Sequence, residues 1–303
     1  MKNFIKNFQT LLMKIILITR PWSFFMTVAS VTLGAVYAYY ENNIFNVIIY
    51  LITIIGAIAL HAFTNVINDY FDTLYGVDKP SSPTTRYRLH PIISKLFKPR
   101  QVIKISFMYL FIATIMGIIL YLWERPLVLI LGILGALISF EYTGPPLKYK
   151  YKGLGELMVF IMWGPMMFSG SYYAQTKLLT LDSLIVSFPI GLLVASVLLI
   201  DGIRDYDYDK AVGIKTLPII IGKNRALKLY FLLIILPYIL VIILALINII
   251  GITSLIVLLT IPQSIKLLKN FLKYVPDTAA PQTAQFTLLF GITYIIGIVL
   301  SYL

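Results

Sequence analysis

Long apolar runs alternate with short polar segments along the chain. A membrane-spanning helix needs about 20 mostly apolar residues, within a range of about 17 to 25. Nine runs meet this requirement, and the pattern therefore predicts an all-α, polytopic membrane protein built as a bundle of nine transmembrane helices. The predicted spans lie approximately at residues 22–40, 44–67, 101–122, 126–142, 155–175, 183–200, 226–248, 251–268 and 283–302.

The basic residues are distributed unevenly between the two sets of connections that nine spans create. Counting residues at the adjoining helix edges, one set holds 23 of the 25 Lys and Arg residues, and the other holds only Arg125 and Lys177. The basic set consists of the N-terminus and the loops 68–101, 143–154, 201–225 and 269–282. Because basic loops remain in the cytoplasm, we predict a multi-pass protein of the cell membrane with its N-terminus in the cytoplasm and its C-terminus outside.

The composition indicates lipid as the solvent and removes several kinds of chemistry. The 303 residues are 59% hydrophobic and 13% charged, whereas soluble domains are about half apolar and about a quarter charged. The absence of cysteine excludes disulfides, thiolate metal sites and cysteine nucleophiles, and two histidines are too few for a His-based metal site. The cytoplasmic loops account for the net charge of +12, so no nucleic-acid partner is expected.

Residues 1–303 are predicted to form a single membrane domain. Within it, the first 20 residues have the periodicity of an amphipathic helix. Lys2, Lys6 and Lys14 lie mostly away from the apolar face of this segment. That face consists of Phe4, Phe8, Leu11, Leu12, Ile15 and Ile16. Two interpretations remain open: a helix that lies on the membrane surface, or an ordinary first helix that covers part of the bundle.

Two short stretches contain seven of the 13 acidic residues. Residues 65–78 come at the end of the second predicted span, and residues 201–209 come at the end of the sixth. Asn68 and Asp72 are four positions apart, and the same spacing separates Asp201, Asp205 and Asp209. Four residues are about one helical turn, so each set projects from one face of a helix.

Carboxylates at this spacing are unfavourable unless a positive charge accompanies them. At about 6 Å and an effective dielectric constant near 20, two of them repel by roughly 2–3 kcal/mol. Pairing with nearby Lys and Arg on a solvated loop is one explanation, and a divalent cation is the other. Oxygen ligands without His or Cys favour Mg²⁺, which prefers one or two carboxylates plus phosphate oxygens. Two such segments therefore predict a phosphorylated ligand that bridges them.

The two segments resemble the paired motifs of the UbiA superfamily of intramembrane prenyltransferases. The first motif is Asn68-Asp-Tyr-Phe-Asp72, and the second is the Asp201, Asp205 and Asp209 ladder. The resemblance covers essentially the whole chain. It implies a nine-helix bundle whose cytoplasmic loops cap a central cavity, and Mg²⁺-dependent transfer of a prenyl chain from a prenyl diphosphate to a lipophilic acceptor.

Further stretches are similar to the branch that prenylates 1,4-dihydroxy-2-naphthoate in menaquinone biosynthesis. In the first motif, Gly76 stands where many members have an aspartate, and Asp78 follows it. The segment Thr84–His90 departs from this branch. The similar stretches are Asp72-Thr-Leu-Tyr-Gly-Val-Asp78, Tyr142-Thr-Gly-Pro-Pro-Leu with Gly153-Leu-Gly-Glu156, and Gly213-Ile-Lys-Thr-Leu217. An aromatic acceptor is therefore expected, and geranylgeranyl transfer to a glycerol phosphate, a precursor of archaeal ether lipids, is the alternative.

The same resemblance suggests roles for individual residues at the cytoplasmic side. About two Mg²⁺ ions would be held by the catalytic set Asn68, Asp72, Asp201 and Asp205, with Asp69, Asp78 and Asp209 as secondary ligands. The basic residues expected to bind phosphate oxygens are Lys148, Arg204 and Lys215. An electron-rich ring would stabilise the allylic cation, and the candidates are Tyr142 above all, then Tyr149, Tyr70 and Phe71. His61 is expected to be a packing residue.

Two other classes of membrane protein carry comparable acidic residues. A cation transporter places its carboxylates near the middle of the bilayer, within broken helices, whereas these lie at the ends of spans. A CDP-alcohol phosphotransferase, which also uses Mg²⁺, would show one dense Asp-Gly-x-x-Ala-Arg signature. The run Asp201-Gly-Ile-Arg204 lacks that form, so a prenyltransferase remains the preferred interpretation.

Overall fold

The computed structural model describes the backbone of residues 2–302 and their side chains except those of residues 2–8, 86 and 87. Every regular element in this part of the chain is a helix, which confirms the predicted all-α class. The first half contains α1 (Lys2–Ile18), α2 (Phe24–Asn42), α3 (Val47–Leu74), α4 (Pro83–Tyr87), α5 (Pro99–Leu122), α6 (Pro126–Glu141) and α7 (Gly155–Ile161). The second half contains α8 (Met167–Thr176), α9 (Leu181–Val186), α10 (Phe188–Arg204), α11 (Tyr206–Val212), α12 (Leu217–Ile221), α13 (Lys223–Leu246), α14 (Ile261–Lys273) and α15 (Ala279–Leu300).

Seven helical stretches of the described chain are long and apolar enough to cross a membrane, as a polytopic membrane protein requires. They are Pro21–Asn42, Val47–Leu74, Pro99–Leu122, Leu181–Arg204, Lys223–Leu246, Ile252–Lys273 and Ala279–Leu300. Of the other two predicted spans, α6 has 16 residues, or about 24 Å of helix. The other one, predicted at residues 155–175, consists of α7 and α8, joined by the π-helical turn Met162–Met166. The count of nine spans stays a prediction.

Small residues allow the central helices to approach one another closely. Gly34 of α2 faces the backbone of α8, and a Cβ added at Gly34 would overlap the carbonyl oxygen of Phe168. Gly191 of α10 faces Gly164 of the π-helical turn in the same way, with an added Cβ 2.9 Å from the Gly164 Cα. Because lipid tails provide no hydrophobic drive between helices, such close contacts are a main source of helix association in membranes.

α1 contacts the bundle through its C-terminal end. Ile18 is fully buried in a cluster with Val66 and Val102, and Ile15 packs against this cluster. Leu11, Leu12 and Ile16 are exposed, while Phe4 and Phe8 lie outside the described side chains. The amphipathic role of residues 1–20 therefore stays a prediction.

The acidic stretches lie where two central helices end. α3 has 28 residues, or about 42 Å of helix, which exceeds a hydrocarbon core of about 30 Å. Its last turns carry Asn68, Asp69 and Asp72. α10 carries Asp201 in its last turn, and Asp205 follows its final residue. The ends of these two helices form what we call the acidic end of the bundle.

The crossing of α2 and α8 gives a test of the packing. We expect Gly34→Ala to destabilise the protein in detergent by about 1–3 kcal/mol, because the added methyl group must push the two backbones apart. Gly132→Ala in α6 is the matched control, since a Cβ there meets nothing within 4 Å and alanine favours helix by up to about 1 kcal/mol over glycine. Unfolding measured in detergent checks both, and equal stability of the two variants would contradict the packing described.

Candidate active site

A cavity of about 310 Å³ opens at the acidic end and is bordered by both acidic stretches. Six of the seven residues predicted to bind metal line it. These are Asn68, Asp72, Asp78, Asp201, Asp205 and Asp209. Residues about 130 positions apart in the sequence therefore contribute oxygen atoms to one cavity.

The first stretch contributes an amide and a carboxylate from the same face of α3. The Oδ1 atom of Asn68 is buried and has no hydrogen-bond partner among the described residues. The carboxylate of Asp72 is 4% exposed and accepts hydrogen bonds from Lys150 Nζ at 2.7 Å and from the Tyr151 hydroxyl. A buried amide oxygen without a donor costs free energy, and a hard cation would satisfy it. This donor set fits Mg²⁺.

Asp69 is turned away from this cavity and is bound in a different network. Its two carboxylate oxygens accept hydrogen bonds from Arg88 Nη1 and Nη2 at 2.8 and 2.7 Å, and Oδ1 also accepts one from Arg20. Asp69 is fully buried and the Arg88 side chain is 2% exposed. The bidentate pair with Arg88 fastens the loop after α3 to the end of that helix, and the contact with Arg20 fastens the linker between α1 and α2. The role of Asp69 as a secondary metal ligand stays a prediction.

Gly76 explains how Asp78 reaches the cavity. α3 ends in a Schellman motif, in which the N–H of Gly76 donates to Thr73 O at 3.1 Å and that of Val77 to Asp72 O at 2.8 Å. Gly76 has φ +71°, a left-handed conformation that costs an L residue energy. The turn brings Asp78 against the last turn of α3, where its N–H also donates to Asp72 O at 3.0 Å. Gly76, at which the first motif departs from the family pattern, therefore forms a turn. This turn brings Asp78, two residues later, to the cavity wall.

The second stretch is organised around one arginine. Arg204 binds Asp201 Oδ1 through Nη1 at 2.8 Å and Asp205 through Nε and Nη2, both at 2.7 Å. Burial raises the pKa of Asp205 to about 6 and that of Asp209 to about 7, with the Asp201 charge adding to both shifts. Arg204 does not itself line the cavity. Its observed contacts orient the acidic ladder.

One hydroxyl group links the two stretches directly. Tyr208 lies between Asp205 and Asp209 in the sequence, and its hydroxyl donates to the carbonyl oxygen of Val77 at 2.7 Å. Both Tyr208 and Val77 line the cavity. The loop that carries Asp78 is thereby fixed to the helix that carries Asp209.

Lys150 lines the cavity together with Arg20 and Arg88, and it was not among the phosphate-binding residues predicted from the sequence. Burial alone would lower the pKa of the Lys150 ammonium, but the neighbouring Asp72 carboxylate raises it by more. The pKa of Lys150 is therefore well above its ordinary value, and the side chain stays charged. Lys148 stacks instead on the Tyr75 ring at 3.7 Å, and Lys215 forms a backbone bridge to Lys152; neither lines the cavity. Their phosphate-binding role stays a prediction. The spacing of three alternating lysines, 148, 150 and 152, carries no signal that distinguishes them.

Aromatic rings form part of the wall of the same cavity. Tyr142 and Tyr149 both line it and meet edge to face, with centroids 5.4 Å apart. The Tyr149 hydroxyl donates to Ile138 O at 2.6 Å, which fixes that ring. Tyr70 and Phe71 do not line the cavity. Of the rings suggested by the sequence, Tyr142 and Tyr149 are therefore the two that a bound molecule can contact.

Deeper in the bundle the cavity wall changes from charged to weakly polar and apolar. His61 is buried there, with Nδ1 at 2.8 Å from the Thr27 hydroxyl and Nε2 at 3.2 Å from the Ser23 hydroxyl. Its ring packs edge-on against Trp163, with centroids 4.9 Å apart. Both ring nitrogens are used in contacts of α3 with α2 and with Ser23, the residue before α2, as suits a packing residue.

A second cavity of about 500 Å³ lies beside the first, between α3, α5 and α6. Its wall is almost entirely apolar. Leu60, Met162 and Met167 border both cavities, so these three side chains form the partition between a polar chamber and an apolar one. Methionine side chains are flexible, which makes this partition easy to displace.

The sequence and fold have clear relatives. The profile of the UbiA prenyltransferase family matches residues 27–291. UbiA prenyltransferase domain-containing protein 1 of Homo sapiens is 29% identical over 292 residues, covering 94% of this chain and 83% of that protein. The protein of the same name from Dictyostelium discoideum is 29% identical over 295 residues, covering 96% and 88% of the two chains.

Solved structures show the same fold. A UbiA homolog from Archaeoglobus fulgidus bound to GPP and Mg²⁺ superposes with a TM-score of 0.63 at 15% identity, covering 94% of this chain and 99% of that one. A digeranylgeranylglyceryl phosphate synthase superposes with a TM-score of 0.65 at 20% identity, covering 97% and 99%. These structures share the fold, and the match of the family profile over residues 27–291 establishes that the chain belongs to the UbiA prenyltransferase family.

Proposed function

We propose that this prenyltransferase moves a prenyl chain from a prenyl diphosphate to an aromatic acceptor, dihydroxynaphthoate, with Mg²⁺ bound at the acidic end. The observation that carries the proposal is the convergence of Asn68, Asp72, Asp201 and Asp205 on one cavity that also contains Lys150. Support comes from the family and from the Archaeoglobus fulgidus homolog bound to GPP and Mg²⁺. The topology proposed from the basic loops puts this site at the cytoplasmic side.

The diphosphate end of the donor is handled by side chains around the cavity mouth. Asn68, Asp72, Asp201 and Asp205 would hold about two Mg²⁺ ions, which neutralise the charge that develops on the departing diphosphate. Lys150 already faces Asp72, and its ammonium can donate a charge-assisted hydrogen bond to a phosphate oxygen. Arg204 keeps Asp201 and Asp205 in place while these carboxylates are engaged.

The chemical step takes place beside the aromatic wall. The bond between the allylic carbon and the diphosphate oxygen breaks, and both electrons leave with the diphosphate. The Tyr142 ring, in the wall of the same cavity, stabilises the resulting allylic cation through its π face, and the apolar surroundings exclude water, which would otherwise capture the cation. An electron-rich carbon of the acceptor then forms the new C–C bond, and the ring proton is released.

The charges in the cavity favour an aromatic acceptor over a glycerol phosphate. A phosphate acceptor would bring a second phosphate group with a charge of about −1.5 to −2. The cationic side chains that line the cavity are Arg20, Arg88 and Lys150, and all three are bound to Asp69 or Asp72. A planar acceptor with less charge matches the tyrosine rings better. Geranylgeranyl transfer to a glycerol phosphate is the alternative, and the same assay tests it.

Removal of either central carboxylate should abolish transfer. We expect Asp72→Asn and Asp201→Asn to lower the rate of transfer from geranylgeranyl diphosphate by at least about 10²-fold, because each loses charge opposite the leaving group. Asp207→Asn is the matched control, since Asp207 belongs to the same stretch but its side chain is 86% exposed. The assay uses radiolabelled donor, with and without Mg²⁺, and offers dihydroxynaphthoate and geranylgeranylglyceryl phosphate in parallel. Full activity of either active-site variant, or product only from the glycerol phosphate, would contradict the proposal.

Asp69 should behave differently from its neighbour Asp72. Asp69→Asn leaves the Arg88 guanidinium buried without a counter-charge, and breaking such a pair costs about 3–5 kcal/mol. Asp72→Asn should cost less, because its partner Lys150 has a side chain that is 20% exposed and can rehydrate. Unfolding of both variants in detergent measures the difference. An Asp69→Asn protein as stable as wild type would show that the Arg88 pair does not hold the loop.

The apolar second cavity is the proposed site for the far end of the prenyl chain. Gly132 lines it, and a side chain added there meets no atom within 4 Å. We expect Gly132→Phe to occupy this space and to reduce kcat/KM for geranylgeranyl diphosphate relative to geranyl diphosphate by at least about 10-fold. Leu134→Phe is the control, because Leu134 is exposed on the same helix and does not line the cavity. An unchanged ratio of the two donors in Gly132→Phe would exclude this cavity as the chain site.

A further inference from the structure

His90 is fully buried in the loop between α4 and α5, next to Asp78. Its Nε2 atom lies 3.1 Å from Asp78 Oδ2. On the other side of the ring, the backbone N–H groups of Ile92 and Ile93 donate to Nδ1 at 3.2 and 3.1 Å. An imidazole nitrogen that accepts two N–H donors carries no proton of its own. The hydrogen of the neutral ring is therefore on Nε2 and points at the Asp78 carboxylate.

The cluster of Asp69, Asp78 and His90 has ligand atoms within 4.8 Å of one another, but its hydrogen bonds are incompatible with a metal centre. The Nδ1 lone pair of His90 is occupied by backbone donors, and Nε2 carries the proton. The Asp69 oxygens are bound to Arg88 and Arg20, so a cation here would also face two guanidinium groups. The cluster is a hydrogen-bond network, and its one member that lines the active-site cavity is Asp78.

We propose that His90 is a positioning residue, whose Nε2–H holds the carboxylate of Asp78 at the wall of the cavity for the metal–diphosphate complex. This inference rests on the proposed function, because it assigns Asp78 to that complex. The backbone around Asp78 is already fixed by the Schellman turn and by Tyr208. The conformation of the Asp78 side chain is what remains to be fixed. Groups that orient a metal-binding carboxylate commonly contribute about 10- to 100-fold to metal affinity.

Two substitutions separate the two sides of the ring. The Oδ1 of asparagine can take the place of Nδ1 and accept from Ile92 and Ile93, so His90→Asn keeps the loop contact and removes the donor to Asp78. The side-chain amide of glutamine reaches as far as Nε2, so His90→Gln keeps a donor to Asp78. A purely structural role of His90 predicts that His90→Asn is the milder change, and the positioning role predicts the reverse for metal binding.

The experiment is a Mg²⁺ titration of the intact protein in detergent, with geranyl diphosphate present and thermal unfolding as the readout. We expect His90→Asn to raise the half-saturating Mg²⁺ concentration by about 10-fold or more, with little change of Tm in the absence of Mg²⁺. His90→Gln should stay within about 3-fold of wild type. In an Asp78→Asn background, His90→Asn should add no further shift, because its effect passes through Asp78.

The outcomes distinguish the two proposals. A wild-type protein that Mg²⁺ stabilises, with His90→Asn showing the same Mg²⁺ requirement, overturns the role of His90 and leaves the proposed function intact. An equal shift in the Asp78→Asn background also overturns it, because His90 then acts by another route. A wild-type protein that Mg²⁺ does not stabilise in the presence of geranyl diphosphate overturns the proposed function, and the role of His90 with it.

Discussion

Repulsion between carboxylates gathered at one end of an apolar bundle is the constraint on which the rest of the site depends. Each pair about 6 Å apart opposes folding by roughly 2–3 kcal/mol at an effective dielectric constant near 20. Ion pairs with cationic side chains offset part of this repulsion: Lys150 pairs with Asp72, Arg204 with Asp201 and Asp205, and Arg88 with Asp69. Even with these contacts, the cavity has more oxygen ligands, from carboxylates and the Asn68 amide, than cationic side chains. This is the condition under which a divalent cation and a diphosphate bind together.

The scaffold holds these charges because the acidic residues are fixed by helix ends. α3 and α10 project their last turns into the cavity, and the Gly76 turn returns the chain so that Asp78 joins them. The crossing of α2 and α8 at Gly34 keeps the bundle beneath them closely packed. The same cavity has aromatic rings in its wall and adjoins an apolar cavity, and these three surroundings match the diphosphate, the reacting carbon and the hydrocarbon tail of a prenyl donor.

Much of this could be predicted from the sequence, because hydrophobic periodicity and the i, i+4 acidic ladders are local signals. Asp69 differs because its environment depends on Arg88, 19 positions away. Lys148 and Lys150 are equivalent by spacing, and the left-handed backbone of Lys148, with φ 49°, helps to decide which one enters the cavity. The count of nine spans stays a prediction, because α6 is short and a π-helical turn interrupts the segment after it. For Asp69 and for the two lysines, tertiary contacts decide the result.

The most direct test of the account is equilibrium binding of geranylgeranyl diphosphate to the purified protein in detergent, with Mg²⁺ and with EDTA. This measurement needs no acceptor and therefore examines the acidic end alone. The account predicts saturable binding in Mg²⁺ that is lost in EDTA, because the carboxylates that line the cavity repel the diphosphate unless cations lie between them. Equal affinity in Mg²⁺ and EDTA, or no binding under either condition, would contradict it.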